Sequence, residues 1–327
     1  MFLKLKKKTA GLLLLASVFA LPGTPAFCQE ADTAAVTKLQ QSEINQEREG
    51  KWRLDGEKDV YLPRSFRKSS DGENMADINK EGLGWLRISG SGQMSIKGLE
   101  TVYRRIREES MAPIYLVDLR QEPHGYLNGV PVSWYTTDNA YGRGHDAAWV
   151  SAEEEKILNS DVGREVTAVP LGDYDKQHLQ PVTMKVLSAE TEEKAAEKNG
   201  YRYVRIAATD QRWPEPQAVD EFIKFYQSLP ARPVWLHFHC HAGHGRTTTF
   251  MAMYDMMRNP CVPLEDIVKR QQVIGGTNLL ATSNGTDWRA AAVRERAQRI
   301  RDFYDYVQEN YADDYEISWS EWLKRKK

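Results

Sequence analysis

The segment His239-Cys240-His241-Ala242-Gly243-His244-Gly245-Arg246-Thr247 closes the run Pro233-Val-Trp-Leu-His-Phe-His239, apolar and of strand length. It leads into the apolar stretch 247–257, which is long enough for a helix. Gly243 and Gly245 let the backbone curl between the two. A loop of this kind turns successive N–H groups inward, and a helix N-terminus beginning at Arg246 completes an anion cradle. A cysteine six positions before an arginine is a weak signal by itself. Cys28 and Cys261 lack even that, having Ala34 and Ile267 at the matching offset. The glycines, the strand before and the helix after make the pattern specific.

Each residue type in the loop has a chemical reason. Cys240 must be a thiolate to attack phosphorus, and N–H dipoles, a helix N-terminus and a guanidinium all favour that form. Arg246 presents a planar fork that bonds two phosphoryl oxygens at once, which a lysine cannot do. The Thr247 hydroxyl can donate to the sulfur and ease its departure in a second step, while His239 orients the loop through its ring nitrogens. His241, Ala242, Gly243, His244 and Gly245 would wrap the bound phosphate. If protonated, His241 and His244 add positive charge, so activity is expected to favour the acid side of neutrality. His237 and His239 share one strand face, but no Asp, Glu or second Cys with ligand spacing accompanies them. No metal and no cofactor is therefore expected.

Working outward, Ser95 can cap a helix in which Leu99, Val102, Tyr103 and Ile106 recur at helical spacing, and Pro113 to Leu119 follows as a strand. Tyr203 to Ala208 reads as another strand, then Val219, Phe222, Ile223 and Tyr226 show helical spacing again. A long final helix is expected to carry Val293, Ile300, Tyr304 and Val307 on one face. Strands alternating with helices predict an α/β sheet flanked by helices on both faces. Between about 128 and 184 the rhythm breaks into short segments punctuated by Gly129, Pro131, Gly142, Gly144, Pro170 and Gly172, which suggests an inserted, small β-rich subdomain.

The chain has 327 residues, 44 Lys+Arg against 46 Asp+Glu, 41% hydrophobic and 28% charged residues, and three cysteines. A disulfide scaffold, a polytopic membrane protein and a disordered chain are excluded. Residues 1–28 open with Lys4, Lys6, Lys7 and Lys8, continue through an apolar run of about a dozen residues from Ala10 to Leu21, and end in small or helix-breaking residues. That is the pattern of a secretory signal peptide cut after Ala26 or Cys28, and the run is too short to span a bilayer. The mature chain is then exported, periplasmic or secreted, without stable membrane insertion. It holds 40 basic against 46 acidic residues, and no basic stripe for nucleic acid is visible. Residues 29–50 read as a polar linker, leaving 51–327 for the catalytic domain. Nothing in the sequence addresses oligomeric state.

The loop resembles the phosphate-binding loop of the protein-tyrosine-phosphatase superfamily. Over about Leu62 to Leu323 the chain is similar to bacterial cysteine phytases, tyrosine-phosphatase-like myo-inositol phosphate phosphatases. Pro63-Arg-Ser-Phe-Arg67, Val117-Asp-Leu-Arg-Gln-Glu122, His124-Gly-Tyr126, Val130-Pro-Val-Ser-Trp-Tyr135, Ala207-Ala-Thr-Asp-Gln-Arg-Trp-Pro214, Trp235 to Thr248 and Gln308-Glu-Asn310 carry the resemblance. It implies a tyrosine-phosphatase-like α/β fold with a partial-barrel insertion, and Asp210 as general acid on a mobile loop. An alkoxide leaves poorly unless protonated, so the chemistry needs such a group independently. The resemblance also implies substrate contacts from Arg67, Asp138 and Arg289.

The sequence departs from the family where Asp173-Tyr174-Asp175-Lys176 replaces a basic cluster and where 277–287 lacks basic residues. Lys176 is expected to compensate in part. The expected activity is hydrolysis of myo-inositol polyphosphates through a phosphocysteine. The same chemistry on phosphotyrosine proteins or phosphoinositides, and a phosphate-binding pseudophosphatase, stay open as alternatives.

Overall fold

The computed structural model describes residues 50–326; the expected leader and nearly all of the linker lie outside the described residues. Residues 50–327 form one compact unit. Its centre is a five-stranded sheet in the order β10 (Arg202–Arg205), β4 (Ile114–Asp118), β11 (Trp235–His239), β3 (Ile88–Ser91), β2 (Arg67–Lys68). The first four run parallel, and β2 pairs antiparallel with β3 at the edge. All five residues of β11 are buried, as a strand covered on both faces requires. Registry sets His239 opposite both Asp118 and Ser91, so three strands end together.

The flanking helices follow their apolar spacing. Ser95 Oγ accepts the Gly98 N–H at 2.9 Å and starts helix Ile96–Arg107, which buries Leu99, Val102 and Ile106. Helix Gly245–Arg258 runs through the core, buried from Arg246 to Met257. Helix Trp288–Asn310 is capped by Asp287 and buries Ala290, Ala297, Ile300, Phe303, Tyr306 and Val307. Of the expected stripe, Ile300 and Val307 are buried, while Val293 and Tyr304 are half-buried beside that line. Nor is this helix the last. Trp319–Arg325 follows, its Trp319 and Trp322 stacked at 5.4 Å.

A second, antiparallel sheet has the order β1 (Lys51–Leu54), β6 (Val130–Tyr135), β5 (His124–Leu127), β9 (Ala189–Thr191). A hairpin of β7 (Glu165–Ala168) and β8 (Val182–Lys185) joins it through backbone bonds between 52–54 and Val169. These strands draw on residues outside 128–184, and that segment also contains a 14-residue helix, Ala147–Ser160. Asp146 caps this helix by accepting the Trp149 N–H at 2.8 Å, and Ile157 and Leu158 bury against Trp52, Leu127 and Val132.

Candidate active site

The segments leaving β3, β4, β10 and β11 meet at the carboxyl edge of the parallel sheet, where open α/β folds place their ligands. The loop from Cys240 to Gly245 is laced to the exit of β3, with Gln93 N–H donating to His241 O at 3.0 Å. Gly243 has φ 77°, and a Cβ there would stand 2.5 Å from Gly92 N, so only glycine closes this turn. Cys240 Sγ, buried, accepts the Gly243 N–H at 3.3 Å and the Thr247 hydroxyl at 3.1 Å. Both donors point at the sulfur.

Arg246 is locked by Glu122. Its Nη1 and Nη2 donate to the two Glu122 oxygens at 2.8 and 3.1 Å, and Nη1 also reaches Leu119 O and Ala208 O. Glu122 in turn accepts Arg120 Nε at 2.8 Å, and Arg120 Nη1 bonds Asp55 at 2.8 Å. Burial pushes the Glu122 carboxyl up, but Arg246 and Arg120 outweigh it and hold it well below the carboxylate range. The pair is therefore permanently ionised. Arg246 Nε has no hydrogen-bond partner among the described residues.

Asp210 lies 3.1 Å from Arg246 Nη2. Its other oxygen accepts Asn139 Nδ2 at 3.1 Å, while Gln121 Oε1 accepts the Asp210 N–H at 3.1 Å.

Cys240 opens into a pocket of about 630 Å³, a size suited to a small molecule. Its wall includes His241, Ala242, His244, Gly245, Asp210 and five arginines: Arg53, Arg64, Arg246, Arg289 and Arg296. Asp173 and Asp175 also line it.

Residues 117–258 match the family model for tyrosine-phosphatase-like phytases, described by inositol hexakisphosphate. A solved tyrosine-phosphatase-like phytase from Bdellovibrio bacteriovorus is 31% identical, with a TM-score of 0.67, covering 84% of this chain and 95% of that one. The chain belongs to the tyrosine-phosphatase-like phytase family. The tandemly repeated tyrosine-phosphatase-like phytase of Mitsuokella multacida is 40% identical with a TM-score of 0.78, covering 84% of this chain and 49% of that one. A myo-inositol phosphatase from the same organism, solved with myo-inositol-(1,3,4,5)-tetrakisphosphate, matches to the same degree. The effector protein hopD2 of Pseudomonas syringae pv. tomato is 24% identical over 275 residues. This chain spans about half the length of the Mitsuokella proteins and 58% of the Pseudomonas one.

In this phytase-family chain several expected residues stand elsewhere than the pocket wall. Arg67 is 2% exposed and lies under the loop, donating to Gly243 O at 2.7 Å, Ser65 O at 3.0 Å and Thr248 Oγ1 at 3.0 Å. Burial brings its guanidinium down to about 10, and Cys240 opposes that shift, so it remains a cation beneath the sulfur. Arg64, three positions earlier, is the one on the wall, donating to Asp175 at 2.7 Å and lying 3.0 Å from His241 Nδ1. Asp138 is exposed, and its neighbour Asn139 turns inward to Asp210 instead. Lys176 points outward from helix Asp173–His178, whose Asp173, Tyr174 and Asp175 face the pocket.

The histidines also differ from expectation. Burial, helped by Arg53, brings His241 down to about 4 despite Asp55, and burial with Arg67 and Arg64 lowers His244. At neutral pH they supply hydrogen bonds, such as His244 Nε2 with Ser65 Oγ at 3.1 Å, and not charge. They provide no source for an acid preference. His239 is absent from the pocket wall; it ends β11 with its Nε2 2.9 Å from Glu192. Asp118, His124 and Glu192 bring ligand atoms within 4.8 Å of one another. Protein donors already serve them: Arg205 Nε and Tyr203 OH reach Asp118 at 2.6 Å, and His124 bridges Glu122 O and Glu192 at 3.0 Å. Arg64, Arg53, Arg296, Asn139, Gln121 and Glu122 are the site residues that sequence reasoning left without a role. Three of them, Arg64, Gln121 and Glu122, sit inside the stretches that carried the resemblance.

Proposed function

We propose that this chain is an exported, metal-independent phosphomonoesterase acting on myo-inositol polyphosphates, inositol hexakisphosphate foremost. The reading rests on one observation, the Cys240 sulfur at the floor of a pocket whose wall includes five arginines. Family membership and the inositol phosphate bound to the Mitsuokella enzyme support it. Export is read from residues 1–28, and the Pseudomonas relative is named an effector protein.

In this reading Cys240 sulfur forms a bond to phosphorus as the bond to the inositol oxygen breaks. Loop amides and Arg246 hold the equatorial oxygens, and Asp210 gives its proton to the leaving oxygen. Water then attacks the phosphocysteine, Asp210 takes its proton, and the thiolate departs onto the Thr247 hydroxyl. Arg289 is the direct substrate contact retained from the sequence. Arg67 and His239 serve the loop from beneath, and Asp138 and Lys176 are assigned to the outer approach.

The test is phosphate release from inositol hexakisphosphate by the full chain in EDTA. Turnover is expected to persist in the chelator and to vanish in Cys240→Ser. Metal-dependent turnover, or an active serine variant, would contradict the reading.

A further inference from the structure

We propose that Arg67 is a positioning residue for the second half of the reaction, aiming two donors at the Cys240 sulfur and supplying its counter-charge as the phosphocysteine breaks. The inference deepens the functional reading above and rests on its phosphocysteine.

Six arginines are buried: Arg53, Arg67, Arg120, Arg205, Arg246 and Arg270. A buried cation ordinarily keeps a carboxylate beside it, because its desolvation is otherwise uncompensated. Arg53 pairs with Asp55 at 2.9 Å, Arg120 with Asp55 at 2.8 Å, Arg205 with Asp118 at 2.6 Å, Arg246 with Glu122 at 2.8 Å, and Arg270 with Asp255. Arg67 alone of the six has no ion pair among the described residues. Its acceptors are neutral oxygens of Ser65, Gly243 and Thr248, and its Nε has no hydrogen-bond partner.

Each arm of its fork ends on a residue tied to the sulfur. Nη1 donates to Gly243 O at 2.7 Å, and the Gly243 N–H donates to Cys240 Sγ at 3.3 Å. Nη2 donates to Thr248 Oγ1 at 3.0 Å, and the hydroxyl of the preceding residue, Thr247, donates to Sγ at 3.1 Å. One rigid planar group thus sets the spacing of both donors. Its charge acts at the same point: Cys240 is the group that opposes the effect of burial on Arg67.

The two halves of the reaction use that charge differently. As sulfur bonds to phosphorus it gives up negative charge, so a cation beneath it stabilises the reactant at least as well as the transition state. When water attacks phosphorus, the S–P bond breaks, its electron pair returns to sulfur, and Asp210 takes the water's proton. The cation and both donors then strengthen as charge develops, which lowers this second barrier.

The experiment is a pulse and chase. The protein is mixed with p-nitrophenyl phosphate labelled in its phosphoryl group, then with excess unlabelled ester. Appearance of p-nitrophenol reads formation of the phosphocysteine, and loss of label from Cys240 reads its hydrolysis. In Arg67→Met the ratio of hydrolysis rate to formation rate is expected to fall about tenfold. A fall of less than about threefold, including the case where both steps slow together as a disordered loop would make them, overturns the proposal. Arg67→Lys keeps the charge without the fork and is expected to regain part of the ratio; a lysine variant no better than methionine overturns it too. Arg67→Gln is read against the same threshold if the methionine variant fails to fold. If the unmodified protein turns over the ester with no label on Cys240, the phosphocysteine reading has failed. If the label forms and the ratio holds in the variants, only the Arg67 assignment has.

Discussion

Arg246 and Arg296 both reach the pocket above Cys240, and they are held in opposite ways. Arg246 is fixed by a bidentate bond to Glu122, inside a buried chain of charges that continues through Arg120 to Asp55. Arg296 has no carboxylate among the described residues and faces a helix end. The Arg246 fork is thus fixed before substrate arrives, as a preorganised catalytic centre requires. On the wall Asp173 and Asp175 stand among the arginines, yet Arg289 and Arg296 have no ion pair among the described residues.

This contrast breaks most visibly at Glu122. Glu122→Gln removes the charge that aligns Arg246 and leaves buried guanidinium groups under-compensated. We expect kcat/KM to fall about 100-fold on inositol hexakisphosphate and on p-nitrophenyl phosphate alike. Stability should drop by about 3 kcal/mol or more, measured by urea unfolding. Equal loss on both substrates is expected of a residue that serves the reacting phosphate alone. A substrate-selective loss in Glu122→Gln would erase the distinction.

A smaller effect sharpens it through pH. His237, bonded to Ser89 and Ser91, is brought down to about 3 by burial and then by His239, while His241 is brought to about 4. Free histidine titrates near ~6.5, so below that value the unfolded chain binds protons that the folded chain does not. Stability from these groups is present above about pH 6.5 and is lost as pH falls toward 4, with His241 contributing about 1 to 3 kcal/mol. Melting temperature should therefore decline from pH 6.5 to 4.5, and His241→Asn should flatten the decline. An unchanged slope would show that His241 is protonated in the folded protein.

The chemistry of the floor was legible because it is local. Strand, glycine turn and helix lie within about 25 residues, and the structure brings Cys240, Arg246 and Thr247 together as their spacing suggests. The Ser95 cap and the parallel strands were legible for the same reason. The partners were not. Glu122 lies 124 positions from Arg246, and Arg64 lies 177 from His241, so only folding brings them together. Near misses came from backbone direction: Asp138 and Asn139 both have positive φ, at 55° and 52°, and the reversal sends the second inward instead of the first. Likewise Ser65 at φ 56° puts Arg64 on the wall and Arg67 under the loop. Of the second sheet only β6 lies within the segment whose rhythm broke; β1, β5 and β9 are short and lie outside it.

The central claim is that the floor acts through a covalent bond to Cys240. Mixing Asp210→Asn with p-nitrophenyl phosphate, whose leaving group departs without a proton from the enzyme, quenching within one turnover and mapping the peptides by mass spectrometry tests it directly. The account predicts a phosphoryl group on the peptide containing Cys240. Phosphate release with no such adduct at any quench time, or an adduct on another residue, would contradict it.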